Sequence, residues 1–113
     1  MFMLLKYQRE KKLVKHIIIW RLKPEAHGNT AARNAVLIKE KLEALQGKIP
    51  GLLKIEVGID FVHSDTSGDL ALYAEFEDRA ALELYRDHPE HKAIFPFIAG
   101  ARTERMMADY ELS

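Results

Sequence analysis

The sequence predicts an α+β fold of the ferredoxin-like βαββαβ plan, a four-stranded antiparallel sheet with helices on one face. Three observations lead there. Four segments, at residues 13–22, 52–62, 69–76 and 102–110, have the residue types and period-two pattern of strands. Ala35, Ile38, Leu42, Leu45 and Ile49 recur at helical spacings between the first and second segments, and Ala81, Leu82 and Tyr85 form a shorter stripe between the third and fourth. The 113 residues amount to one domain by length.

The first strand, LVKHIIIWRL, is β-branched and aromatic-rich, and Lys23-Pro24 closes it. Val14, His16, Ile18 and Trp20 share one face, with Ile17 and Ile19 on the other. Both faces are apolar, so cover is expected on both sides. Residues 25–29 read as a loop, and Asn29 or Thr30 suits the N-cap of the first helix. Gly47 is placed to stop that helix, and Pro50-Gly51 makes a turn.

In the second strand, Leu52 to Val62, Ile55, Val57, Ile59 and Phe61 alternate with Lys54, Glu56, Gly58 and Asp60. The turn-rich run His63 to Gly68 predicts a hairpin with the third strand, Asp69 to Phe76. Asp78 caps a second helix from Arg79 to about Arg86. His88-Pro89 breaks it, a further helical stretch runs from Glu90 to about Ala99, and Gly100 ends that stretch. The last strand, Arg102 to Tyr110, is charge-rich, and Arg102, Glu104 and Arg105 are expected to meet solvent or a dimer partner.

This plan leaves one sheet face without helices, and an open apolar face is costly in water. Pairing two such sheets predicts a homodimer with an internal cavity. Residues 1–12 read as an N-terminal extension and 13–113 as the domain.

Seventeen basic residues balance 17 acidic ones, which argues against nucleic acid as a partner. No apolar run approaches the ~20 residues that span a bilayer, and no membrane association is expected. The absence of cysteine excludes disulfides, thiolate catalysis and Cys-ligated metals, and fits a cytoplasmic protein. No three-ligand metal motif, phosphate loop or nucleophile elbow is evident, so neither metal nor cofactor is expected.

The chemistry concentrates in Tyr85-Arg86-Asp87-His88-Pro89-Glu90-His91. His91 titrates near neutral pH and suits a general base, with Tyr85 brought beside it by the Pro89 bend. The alternative is structural: His88 and His91 bond backbone groups where two helices meet, and Tyr85 fills the core. His16 points inward from the first strand, toward a ligand or into the core. His27 and His63 fall in expected loops and read as solvated. Trp20, Tyr73, Phe76 and Met107 are candidates to line a pocket for a small apolar or aromatic ligand, or to fill the core.

Four motifs carry a family resemblance: Val14-Lys15-His16-Ile17-Ile18, Ile49-Pro50-Gly51, Tyr85-x-x-His88-Pro89-x-His91 and Met106-x-x-Asp109-Tyr110. In their order and spacing, from Leu13 to Leu112, the chain resembles the stress-responsive A/B barrel (Dabb) family. That resemblance implies a dimeric α/β barrel, most of whose members have no defined activity. A plant branch includes a cofactor-independent polyketide cyclase of the aldol type, whose functional tyrosine and histidine match Tyr85 and His91. His16 matches a histidine near that cavity. More distant relatives include small-molecule monooxygenases that use no cofactor. The stretch Phe95 to Gly100 departs from the plant cyclase. Two functions follow as expectations: a homodimer that holds a small organic molecule in its barrel, with cofactor-independent catalysis by His91, Tyr85 and His16 as its enzymatic form, or a non-catalytic stress or binding protein whose barrel is mainly a dimerisation module.

Overall fold

The computed structural model describes residues 12–112, so the N-terminal extension lies outside the described residues except for Lys12. Its elements run β1 (Val14–Leu22), β2 (Glu25–Ala26), β3 (Asn29–Thr30), α1 (Ala31–Glu43), β4 (Leu52–Ile59), β5 (Leu70–Phe76), α2 (Arg79–Asp87), α3 (Pro89–Lys92), α4 (Phe95–Ala101) and β6 (Arg102–Glu111). The main sheet has the order β4-β5-β1-β6 with every neighbour antiparallel, the arrangement the sequence predicts.

The alternation along β1 decides where the core lies. Val14, Ile18 and Trp20 are buried opposite Phe76, Leu72 and Leu70 of β5. Ala35, Ile38 and Leu42 of α1, Leu82 and Tyr85 of α2, and Ile98 of α4 close over them. Each fully buried side chain of this size contributes about 1.5–3 kcal/mol. The other face of β1, expected to be covered, stays open in the single chain, with Ile19 45% exposed.

Local chemistry fixes the helix ends. The Thr30 hydroxyl accepts from the Arg33 N–H at 3.1 Å, and the Asp78 carboxylate accepts from the Ala81 N–H at 2.8 Å. Side chains of α1 and the turn after it also bind the outer edge of β4. Glu43 accepts from the Val57 N–H at 2.9 Å, and Lys39 donates to the Val57 carbonyl at 2.6 Å. Gln46 accepts from the Ile55 N–H at 3.1 Å and donates to the Leu53 carbonyl at 3.3 Å.

Three elements differ from expectation. The helix expected from Glu90 to Ala99 is two short helices, α3 and α4, because Pro96 in the first turn of α4 has no N–H to continue the ladder. The loop at 25–29 is a small β2–β3 hairpin whose corner, His27 and Gly28, has positive φ at both positions (56° and 76°). Strand β4 ends at Ile59, and Phe61 lies 88% exposed in the turn that follows.

Gly51 follows Pro50 with φ of 82°, the type II pattern, and the Leu52 N–H closes the turn on the Ile49 carbonyl at 3.2 Å. A Cβ at Gly51 would come within 2.5 Å of the Ala81 Cβ. Gly51→Ala should therefore lower stability by about 2 kcal/mol or more in urea unfolding; a midpoint equal to wild type would refute this reading of the turn.

Candidate functional site

A pocket of ≈ 310 Å³ opens between the sheet and the helices. The sheet supplies His16, Ile18 and Trp20 from β1, Leu72 from β5, and Arg105 and Met107 from β6. Helices α1 to α4 close it with Leu42, Tyr85, Arg86, His91, Phe95 and Ile98. It lies on the helix side of the sheet, not in a space between two paired sheets, because His16, Ile18 and Trp20 all point to the helix side.

Tyr85 stands between the two imidazoles. Its ring centre is 6.1 Å from that of His16 and 4.2 Å from that of His91. The break at His88-Pro89 makes the second approach possible by turning α3 back over the end of α2. His88 itself caps α3, its Nδ1 accepting from the Glu90 N–H at 3.1 Å. That is a structural role, as the alternative reading of the motif expected for His88.

The His16 Nδ1 is hydrogen-bonded to the carboxylate of Asp109, its cross-strand partner on β6. Arg86 Nη2 donates to the other Asp109 oxygen at 3.1 Å, and its Nη1 pairs with Glu83. Burial pushes the His16 pKa down; the hydrogen bond and charge of Asp109 oppose that, and the positive fields of Arg86 and Arg105 assist it. Burial is the largest of these influences and prevails. His16 is then a neutral imidazole that donates Nδ1–H to Asp109 and keeps the Nε2 lone pair free for a proton.

His91 is also held below the ordinary histidine range, first by burial. Its Nδ1 lies 3.4 Å from the Arg86 carbonyl. Burial raises the Tyr85 pKa, so this phenol remains a donor. Its hydroxyl and the Trp20 indole N–H are buried and have no hydrogen-bond partner among the described residues.

The expected trio Tyr85, His91 and His16 thus meets in one pocket. Of the aromatic and methionine candidates, Trp20 and Met107 line it, Phe76 packs in the core, and Tyr73 half-faces solvent on the open sheet side. Arg105 is exposed and Arg102 half-buried, in keeping with the solvent contact expected for them, and both also line the pocket mouth. His27 is exposed in its turn, as expected, and also stacks on Phe97 at 4.3 Å and bonds the Phe97 carbonyl at 2.9 Å. Sequence reasoning missed Arg86 and Asp109 as site residues, although both stand in the motifs; their pairing appears only once β6 lies beside β1. Among the described residues no group of three His, Asp or Glu side chains converges as metal ligands. Also among them, no helix is long and apolar enough to cross a membrane.

Comparison with known proteins adds three findings. The family model described as Stress Responsive A/B Barrel Domain matches residues 14–112. A dimeric protein of unknown function with a ferredoxin-like fold from Bacteroides fragilis is 33% identical, with TM-score 0.77, over 88% of this chain and 96% of that one. A dimeric ferredoxin-like protein of unknown function from Thermobifida fusca (22% identity, TM-score 0.74, 91% and 93% covered) and the hydroxynitrile lyase of Passiflora edulis (18% identity, TM-score 0.75, 91% and 95% covered) share the fold. No curated protein matches the chain.

Because both imidazoles are held neutral in the folded chain, the unfolded chain binds more protons below pH about 6.5. Their contribution to stability is complete above that pH and is lost as pH falls through the folded pKa values. Urea midpoints should therefore drop on mild acidification, and His16→Gln should flatten the slope. Parallel slopes for the two proteins would remove His16 from this account.

Proposed function

The chain belongs to the stress-responsive A/B barrel family, and from that premise we propose that it is a homodimer whose helix-side pocket carries out cofactor-independent proton transfer on a small apolar carbonyl compound. The observation that carries this reading is the convergence of His16, His91 and the unpartnered Tyr85 hydroxyl in one apolar pocket. A protein that only dimerised would have no need of buried donors without partners, which cost about 1–3 kcal/mol each.

His16 is the better-supported base, because Asp109 fixes its tautomer in the way a nucleophile's or base's third partner does. Its Nε2 takes a proton from the carbon beside the carbonyl. The electron pair moves to the carbonyl oxygen, where the Tyr85 O–H donates a hydrogen bond to the developing charge. The His16 imidazolium then returns its proton, or one exchanged with solvent, to the same carbon and the neutral base is restored, while His91 packs against the Tyr85 ring. The hydroxynitrile lyase of the same fold supports an enzymatic reading over a purely architectural one.

The homodimer rests on the open sheet face, where Ile19, Met106 and Tyr110 are 45%, 76% and 41% exposed. The Bacteroides fragilis relative, described as dimeric, supports the same assembly.

Two measurements test this reading. The α-protons of small aryl ketones and aldehydes should exchange faster with D2O, followed by NMR, in the presence of the protein. His16→Ala should slow that exchange by roughly 10²- to 10⁴-fold, and the wild-type rate should decline only as pH falls below about 6.5. An undiminished rate in His16→Ala would sink the assignment. Ile19→Glu should sediment as a monomer where wild type sediments as a dimer; wild type running as a monomer at micromolar concentration would end the homodimer proposal.

A further inference from the structure

The pocket has two chemically different ends. Along β1, His16 lies opposite Asp109, Ile18 opposite Met107, and Trp20 opposite Arg105. The proton-transfer groups gather at the His16 end. At the Trp20 end the lining includes Arg105 and Arg102, with Lys92 from α3 also on the pocket wall. The lining contains no aspartate or glutamate.

Those cations are not already neutralised. Arg86 is paired with Glu83 and Asp109, so its charge is engaged in the site's own architecture. Arg102, Arg105 and Lys92 have no carboxylate partner among the described residues. Arg105 donates only to the Met107 sulfur, at 3.4 Å, a weak acceptor. In a chain with 17 charges of each sign, three unpaired cations around one apolar pocket are a local excess that the composition does not supply by default. The Trp20 indole N–H belongs to the same end, and it is a buried donor without a partner. Guanidinium groups are donors only, so a pair of them at one end of a pocket suits an anion.

We propose that the ligand is a small apolar organic acid, its carboxylate held at the Trp20 end by Arg105 and Arg102, with its reacting group at the His16 and Tyr85 end. This deepens the reading of the pocket as a proton-transfer site and rests on it. Four residues of β1 separate the ends, about 13 Å at ~3.3 Å per residue, so the acid and the reacting carbonyl are a ring or a short chain apart. The pocket volume of ≈ 310 Å³ fits such a molecule, near the low end of the roughly 300–1,000 Å³ usual for ligand sites. Binding would also alter the chemistry. After burial, the Arg105 charge is among the influences that hold both imidazoles neutral, so a bound carboxylate would make each a stronger base.

Trp20 is the chain's only tryptophan and lines the pocket, so its fluorescence reports occupancy. The probes are 3-phenylpropanoate and its neutral amide, 3-phenylpropanamide, which differ in charge and little in shape. The acid should quench Trp20 with an affinity about tenfold or more above that of the amide, and the gap should narrow as salt is added. Arg105→Gln, on the exposed β6 strand, should lose most of the preference for the acid over the amide. Equal binding of acid and amide would overturn the anion proposal and leave the proton-transfer reading intact. Failure of both to bind at millimolar concentration would overturn the pocket reading, and this proposal with it.

Discussion

The register of β1 between β5 and β6 is the constraint on which the site depends. Side chains alternate along a strand, so a slip of one residue would turn His16, Ile18 and Trp20 away from the helices and bring Lys15, Ile17 and Ile19 under them. Such a slip would empty the core and dismantle the pocket at once. The correct register is defended by the apolar set Val14, Ile18 and Trp20 against Phe76, Leu72 and Leu70. The His16–Asp109 bond defends it again on the other side. Core and site are therefore specified by one alternation.

Asp109 adds a second layer. It bonds a histidine on β1 and an arginine on α2, and so ties an edge strand to the sheet's interior and to a helix. A carboxylate serving one imidazole alone would favour the protonated imidazole. Shared with Arg86, it fixes orientation while burial keeps His16 neutral. The tie between elements and the orientation of His16 come from the same pair of oxygens.

Much of the fold was legible because it is written in local periodicity. The strand β1, the stripe Ala35-Ile38-Leu42 and the caps Thr30 and Asp78 all appear where the residue pattern places them. Legibility fails where distant residues decide the outcome. His16 and Asp109 are 93 residues apart, and nothing near either one announces the other. Arg105 reads as a solvent residue and is exposed, but its place opposite Trp20, which also sets it on the pocket wall, comes from the strand pairing. His27 reads as a solvated loop residue and does sit exposed in a turn, but its stacking on Phe97, far along the chain, is not announced locally. The trio Tyr85, His91 and His16 was legible through the motifs, but not which imidazole has a carboxylate behind it.

The side chains of Lys39, Glu43 and Gln46 on the outer edge of β4 have a consequence for assembly. An unpaired strand edge is a template on which further chains can add, the first step toward fibrils. Here the backbone groups of Leu53, Ile55 and Val57 are already engaged, and the opposite edge strand carries the charges of Arg102, Glu104 and Arg105. Lateral growth is blocked on one side and discouraged on the other. What remains sticky is the broad open face, and a patch that meets its own copy across a two-fold axis is exhausted by a single encounter. The edge chemistry thus steers the chain away from open-ended polymers and toward an assembly of finite size.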